Sequence, residues 1–228
     1  MSPAEIVSAA KRAGMDGIAL TDHQSARNTP AIAECARRAG LKTLFGLEIQ
    51  TAEEVHTLAL FDTVEQALAM TEFVYAAMPK RVNDPDTFGD QPVVTWDDEI
   101  VEMEWRILAM SCRQLIDETA AKVHELGGLY IAAHVDRPNF SVLGALGEIP
   151  VGPDSSPYFD AVEISRTAEE DIWRPKTAGY ALIRSSDAHN LDDVARVWTE
   201  ADGEFSVAGL KAIFANKATR LSPRLTNF

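Results

Sequence analysis

The sequence predicts an α/β fold with a mainly parallel sheet curved toward a barrel, and three observations lead there. Short apolar runs alternate with helical periods from Gly17 to Ala215, the pattern of strands joined by right-handed helical crossovers. Four of those runs end in residues of metal-ligand type: Gly17-Ile-Ala-Leu-Thr-Asp-His23, Thr43-Leu-Phe-Gly-Leu-Glu48, Leu129-Tyr-Ile-Ala-Ala-His134 and Tyr180-Ala-Leu-Ile-Arg-Ser-Ser-Asp187-Ala-His189. The C-terminal ends of parallel strands gather on one face, and several separate strands serve one cluster more readily in a barrel than at the single switch point of an open sheet.

Taken in order, Ser2-Pro-Ala-Glu5 is a capping box with Pro at the first helical position. Ile6, Ala9, Ala10 and Ala13 give the helix after it a buried stripe up to Gly14. Gly17 to Leu20 is the first strand and Thr21-Asp22-His23 its tip. Thr29-Pro30 opens a helix through Cys35 that Gly40 stops. Lys42 to Phe45 forms the next strand, ending at Gly46-Leu-Glu48, and Glu54 to Phe61 another, carrying His56. A helix from Val64 to Ala77 ends before Pro79. Between residues 79 and 112 the pattern becomes a loop and hairpin, an excursion that either covers the site or packs on the barrel side. Gln114 to Leu126 is helical, Leu129 to Ala133 is a fully apolar strand, and further strands fall at Tyr158 to Ser165, Tyr180 to Ser186 and Arg196 to Ala201. A short helix near Val207 to Ala215 follows.

A chain of 228 residues supports one substantial core, and one domain over 1–228 is expected. Its 46% hydrophobic and 25% charged residues are ordinary for a soluble enzyme, and no apolar run approaches the ~20 residues of a membrane span. The N-terminus lacks the basic start and apolar segment of a secretory signal, so the cytoplasm is the expected compartment. Cys35 and Cys112 stand apart without a C-x-x-C partner and are expected as packed thiols. A net charge of -14 argues against duplex nucleic acid and membrane surfaces as partners, since that affinity comes from clustered Lys and Arg. A small phosphorylated substrate, a nucleotide or a short oligonucleotide end fits better.

In an extended segment residues i and i+2 share a side, so Asp187 and His189 are expected to project together. A carboxylate beside an imidazole suits Zn, Mn or Fe. Arg137, three residues after His134, is the expected phosphate-binding residue, because its planar fork matches phosphate bidentately. Arg166 and Lys176 are weaker candidates of the same kind. His124 lies on a helix and is left outside the site, as are Glu163 and Ser165, whose parity opposes that of Val162 and Ile164. Asp97, Asp98 and Glu99 read as a solvated hairpin turn.

Thr21-Asp-His23, Gly46-Leu-Glu48 followed by His56, Ala133-His134 and Ser186-Asp187-Ala-His189 together resemble the PHP family. This is the polymerase and histidinol phosphatase superfamily of distorted (β/α)7 barrels that bind two or three metals and hydrolyse phosphoesters. The resemblance covers nearly the whole chain. It implies a phosphoesterase in which metal-bound hydroxide attacks a phosphate ester, with divalent Mn, Zn or Fe as cofactor. It also implies metal ligands at His23, Glu48, His56, His134, Asp187 and His189, and catalytic acids at Glu48, Asp187 and Asp22, the last orienting a neighbouring ligand. The third histidine of the family is often followed by proline, whereas here Val135 follows His134. The family's first strand carries a His-x-His motif that this sequence does not contain, so the expected barrel lacks that strand. Glu48, His56 and His134 then complete one metal site. Glu48 with Asp187, and His23 with His189, belong to two sites that are short of upstream donors. With edges left unpaired, lowered stability or self-association is expected. A noncatalytic metal-binding scaffold and amidohydrolase-like hydrolysis of an amide are the alternative readings.

Overall fold

The computed structural model describes residues 1–226. The chain opens on α1 (Pro3–Arg12), whose capping box is formed: the Glu5 amide donates to Ser2 Oγ and the Ser2 amide donates to the Glu5 carboxylate. Next come β1 (Gly17–His23), α2 (Thr29–Ala39), which ends at Gly40 with φ 62, and β2 (Lys42–Gln50). β3 (His56–Phe61) leads into α3 (Val64–Ala77), capped reciprocally by Thr63 and Gln66. The excursion holds α4 (Pro85–Phe88) and the hairpin of β4 (Pro92–Val94) and β5 (Ile100–Met103). Then follow α5 (Ile116–Glu125), β6 (Leu129–Ala132), α6 (Val142–Leu146), β7 (Ala161–Ile164), α7 (Glu170–Lys176) and β8 (Ala181–Arg184). A 3-10 turn at Leu191–Asp193, β9 (Thr199–Glu200), α8 (Val207–Ala215) and β10 (Arg220–Leu221) complete the described chain. No helix among the described residues is long and apolar enough to cross a membrane.

Six strands form the main sheet in the order β1-β2-β3-β6-β7-β8. All neighbours are parallel except β3, which runs antiparallel to β2 and to β6. The simple strand-helix alternation fails at this one place for a covalent reason. A turn, closed by the Thr51 amide donating to the Val55 carbonyl at 2.9 Å, separates β2 from β3, and a parallel crossover needs a longer connection. The sheet is open among the described residues, with β1 and β8 as edges, yet both edge strands line one groove of about 1590 Å³. The sheet is therefore curled into part of a barrel wall.

Alternation along the strands fixes what each face carries. Leu47, Ile49, Phe61, Tyr130, Ile164 and Leu182 belong to the core that packs beneath α1, α2, α3 and α5. Leu44, Leu60, Leu129, Ile131, Ala161 and Ala181 face the other way and meet Val207, Ile213 and Phe214 from α8. Gly46 and Glu48 share the parity of Leu44, so they lie on this concave face.

Gly46 is required by contact. A Cβ there would sit 2.2 Å from the Ala59 carbonyl oxygen on β3, a backbone atom that cannot swing aside. Gly46→Ala is expected to destabilise the fold by about 1–3 kcal/mol through overpacking, a fall of roughly 2–12 °C in melting temperature for a chain of this size. A thermal melt checks this, and an unchanged midpoint would contradict it.

The excursion is tied down by a buried ion cluster. Glu104 accepts from Arg106 Nη1 at 2.9 Å and from the Tyr75 hydroxyl at 2.9 Å, and Arg27 lies 3.4 Å away. Burial opposes ionisation of Glu104, but the Arg106 amide, the Tyr75 hydroxyl and the Arg106 guanidinium outweigh it, and the carboxyl is held below the usual range. Arg27 also pairs with Glu102 on β5 at 2.5 Å. Asn28 donates to the Pro92 carbonyl and accepts from the Val94 amide, so β4 is fastened to the start of α2.

Candidate metal centre

Glu48 is the centre of the site. It is 7% exposed, and three imidazoles converge on its carboxylate: His23 Nδ1 at 3.0 Å, His56 Nδ1 at 3.2 Å and His134 Nε2 at 3.5 Å. Donor atoms of His23, Glu48 and His56 all lie within 4.8 Å of one another, a spacing that one metal ion bridges. Burial alone would raise the Glu48 carboxyl, but the imidazoles of His134, His23 and His56 overcome it and hold the group far below the usual range. His23 moves the opposite way, raised by its hydrogen bond to Glu48 against the effect of burial.

Each candidate ligand reaches this point by a different local device. His23 and Glu48 are direct partners in the parallel β1–β2 register, so their side chains emerge side by side. His56 is the first residue of β3. Because that strand is antiparallel, its beginning lies beside the end of β2, where Gln50 pairs with His56. His134 follows β6 with φ 29, a left-handed turn that carries the imidazole toward Glu48. Asp187 has φ 45 after β8. Asp187 and His189 are thus brought together by a turn and not by strand parity, with His189 Nδ1 at 3.0 Å from the Asp187 carbonyl and 3.7 Å from Oδ1. A carbonyl only accepts, so Nδ1 carries the proton and Nε2 stays available as a ligand. Left-handed non-glycine residues cost energy and cluster at functional sites. Four fall in this region: Gln24 (φ 56), His134, Phe140 (φ 56) and Asp187.

The ring of His23 stands 6.0 Å from that of His189, so the tip of β1 faces the segment after β8. Phe140 stacks on His56 at 4.9 Å and holds that ring in place. Arg137 is half-exposed at the rim and pairs with Asp187, Nη2 to Oδ2, at 2.6 Å. Asp22 takes the parity opposite to His23 and accepts from Asn28 Nδ2 at 3.1 Å. Burial pushes its carboxyl up, against that hydrogen bond. Asn28, which also holds Pro92 and Val94, places Asp22 next to β4.

His124 and the weaker phosphate-binding candidates Arg166 and Lys176 have partners of their own. His124 pairs with Asp160 at 3.1 Å, Arg166 with Asp193 at 2.7 Å, and Lys176 lies over the Trp173 ring. Cys35 and Cys112 are buried and free.

Three residues of the site were not legible in the sequence. Gln24 is 1% exposed and ties the end of β1 to its surroundings, its amide donating to the Glu48 carbonyl and its side chain to the Gln50 and Met110 carbonyls. Phe140 signals itself only through its backbone and its stacking. Glu163 is 2% exposed on the concave side of β7, and Ser185 Oγ donates to it at 2.6 Å. Burial pushes its carboxyl up to about 7, against the Ser185 hydrogen bond.

The donor chemistry fits a divalent cation. His134 is 2% exposed; its Nε2 faces the Glu48 carboxylate at 3.5 Å, and its Nδ1 has no hydrogen-bond partner. A buried imidazole so thinly partnered is costly unless a ligand completes it. Imidazole with carboxylate is a donor set for Zn, Mn or Fe.

Comparison with solved structures finds the same fold at low identity. The lesion-specific endonuclease PfuEndoQ from Pyrococcus furiosus matches at 17% identity with a TM-score of 0.62, over 97% of this chain and 53% of that one. Endonuclease Q in complex with a 27-mer duplex substrate bearing an abasic lesion matches at 19% and 0.62, over 92% and 51%. The chain thus spans about half the length of these two structures. A protein of Bifidobacterium adolescentis ATCC 15703 to which a metal-dependent phosphoesterase activity is ascribed matches at 20% and 0.55, over 83% and 82%. No curated protein matches the sequence.

The duplex-bound Endonuclease Q corrects one expectation, that duplex nucleic acid is excluded as a partner. Net charge is a sum over the whole surface, while binding is decided by the field near the groove, where Arg137 pairs with the lining residue Asp187. A total of -14 therefore does not exclude a duplex from this fold. The PHP domain matches residues 1–149, which hold β1, β2, β3 and β6 with His23, Glu48, His56 and His134, and the chain belongs to the PHP domain family.

Proposed function

We propose that this chain is a metal-dependent phosphoesterase. The observation that carries the reading is Glu48, buried, with three imidazoles within 3.5 Å, on the concave face of a sheet that lines a large groove. His23, Glu48, His56 and His134 would hold one cation, and Asp187 and His189 extend the donor set across the 6.0 Å between the His23 and His189 rings. A divalent cation bound there would supply Lewis-acid activation of water and of the phosphate.

The remaining tasks fall to the chain itself. Arg137 is positioned at the rim to take a non-bridging phosphate oxygen while it stays paired to Asp187. Asp22, through Asn28, fixes the approach of β4 to the strand end that carries His23. Phe140 covers His56 on its outer side and limits water access to that ring. Two neighbours of this fold are named as an endonuclease and a phosphoesterase, both acting on phosphate esters, which favours phosphorus over an amide carbon as the centre attacked.

The test is a panel assayed with the full chain loaded with Mn²⁺, Zn²⁺ or Fe²⁺: phosphate monoesters, nucleotides, a phosphodiester, duplex DNA with an abasic lesion, and amides. Hydrolysis of at least one phosphate ester, lost on chelation, is expected. Hydrolysis of amides alone, or metal uptake with no turnover of any phosphate ester, would overturn the reading.

A further inference from the structure

The concave face changes character one step below the candidate metal centre. At the strand tips it carries His23 and Glu48, whereas the next concave positions down β1 and β2 are Thr21, Ala19, Gly46 and Leu44. Leu58 is the cross-strand partner of Glu48, which sets their Cβ atoms about 4.5–5.5 Å apart. Ile131 pairs with Leu58 in turn, and Ile183 on β8 belongs to the same face. α8 covers the lower part of this face, where Leu44, Leu60 and Leu129 meet Ile213 and Phe214. Between that cover and the strand tips, Leu58, Ile183, Phe205 and Leu210 stay half-buried and line the same groove as Glu48 and His189. The Phe205 ring bounds this stretch at Gly17, where an added Cβ would stand 2.7 Å from it.

A phosphate held at Glu48 therefore has an aliphatic wall as its next neighbour. Binding sites of this build orient a ligand by a few polar groups and gain affinity from the apolar lining beside them. We propose that the phosphate ester taken here carries an apolar alcohol, an alkyl or aryl group that lies on Leu58, Ile183, Phe205 and Leu210 while its phosphate sits at Glu48. The assignment follows from continuity: the wall and the metal centre belong to one groove, and Leu58 adjoins both. A sugar or polyol phosphate would set hydroxyl groups against side chains that offer no hydrogen bond, and burying a polar group unpaired is costly. Leu58 and Leu210 thus determine specificity, and hydrolysis itself stays with the metal centre. The inference rests on the phosphoesterase reading above and names its substrate class.

The experiment is a chain-length series on the Mn²⁺-loaded full chain: kcat/KM for methyl, propyl and hexyl phosphate beside glycerol phosphate, with the parent, Leu58→Ser and Leu210→Ser. In the parent, kcat/KM is expected to rise roughly 4-fold per methylene and to be higher for propyl than for glycerol phosphate. Leu58→Ser and Leu210→Ser should each cut the hexyl-to-methyl ratio by about 10-fold or more, mainly through KM. Each ratio is read on one preparation, so a partly unfolded variant still reports it, and the parent series decides the matter if neither variant folds. Hexylphosphonate, whose carbon–phosphorus bond resists hydrolysis, should bind the parent more tightly than methylphosphonate. A flat series with turnover present, or a preference for glycerol phosphate, would overturn the apolar class and leave the phosphoesterase reading standing. So would a dimer in sedimentation that Leu58→Ser or Leu210→Ser disperses, because a second copy would then occupy the wall. No turnover of any phosphate ester would overturn the phosphoesterase reading, and this inference with it.

Discussion

Glu48→Ala is expected to lower metal-dependent phosphoester turnover by more than about 10²-fold, beyond the ~10–100-fold cost of losing a partner one shell out. The reason is geometric. His23, His56 and His134 all converge on the Glu48 carboxylate. Removing it leaves three imidazoles, two of them largely buried, without the charge that offsets a cation. The variant should still fold, because the core on the helix side of the sheet does not include Glu48. Turnover in the variant within a few-fold of the parent, at saturating metal, would show that the chemistry lies elsewhere.

Removing the metal should also loosen the fold. A ligand present at 100 times its dissociation constant stabilises the native state by about 2.7 kcal/mol, which for a chain of this size is a melting shift of roughly 5–10 °C. The metal-loaded chain should melt that much higher than the chelated one, and Glu48→Ala should erase the difference. The direction follows from the site's construction: four histidines from β1, β3 and the segments after β6 and β8 gather around two carboxylates, so a cation links strands that are remote in sequence. An identical melt with and without chelator would contradict tight binding.

The sequence carried the parts of this site that obey strand periodicity. His23 and Glu48 end apolar strands that pair in parallel register, and alternation alone puts both on the concave face. The capping box at Ser2 and the helix from Val64 to Ala77 were readable for the same local reason. His56 was identified as a ligand through the family resemblance, but its route to the site was not readable, since an antiparallel β3 follows from a turn at Thr51 to Val55 that carries no Asn-Gly or Asp-Gly signal. His134 and Asp187 depend on left-handed backbone at non-glycine residues, which composition does not announce.

Glu163 failed for a subtler cause. Val162-Glu163-Ile164 has the alternation of a strand with one wet face, and only the curl of the sheet turns that face into a groove wall. The excursion between residues 79 and 112 was legible as a break in pattern. Its fastening was not, because Arg27, Glu102 and Glu104 meet across long separations in the chain. Net charge misled in the same way, by averaging over a surface on which the groups near one groove matter most.

Every role given to the site residues depends on cation binding at Glu48. The measurement that tests it most directly is metal content per chain by elemental analysis, on the full chain and on Glu48→Ala purified side by side from cells grown with added Mn, Zn and Fe. At least one tightly held transition metal per parent chain, absent from the variant, is the predicted result. A parent chain free of metal, or a variant that holds as much as the parent, would contradict the account.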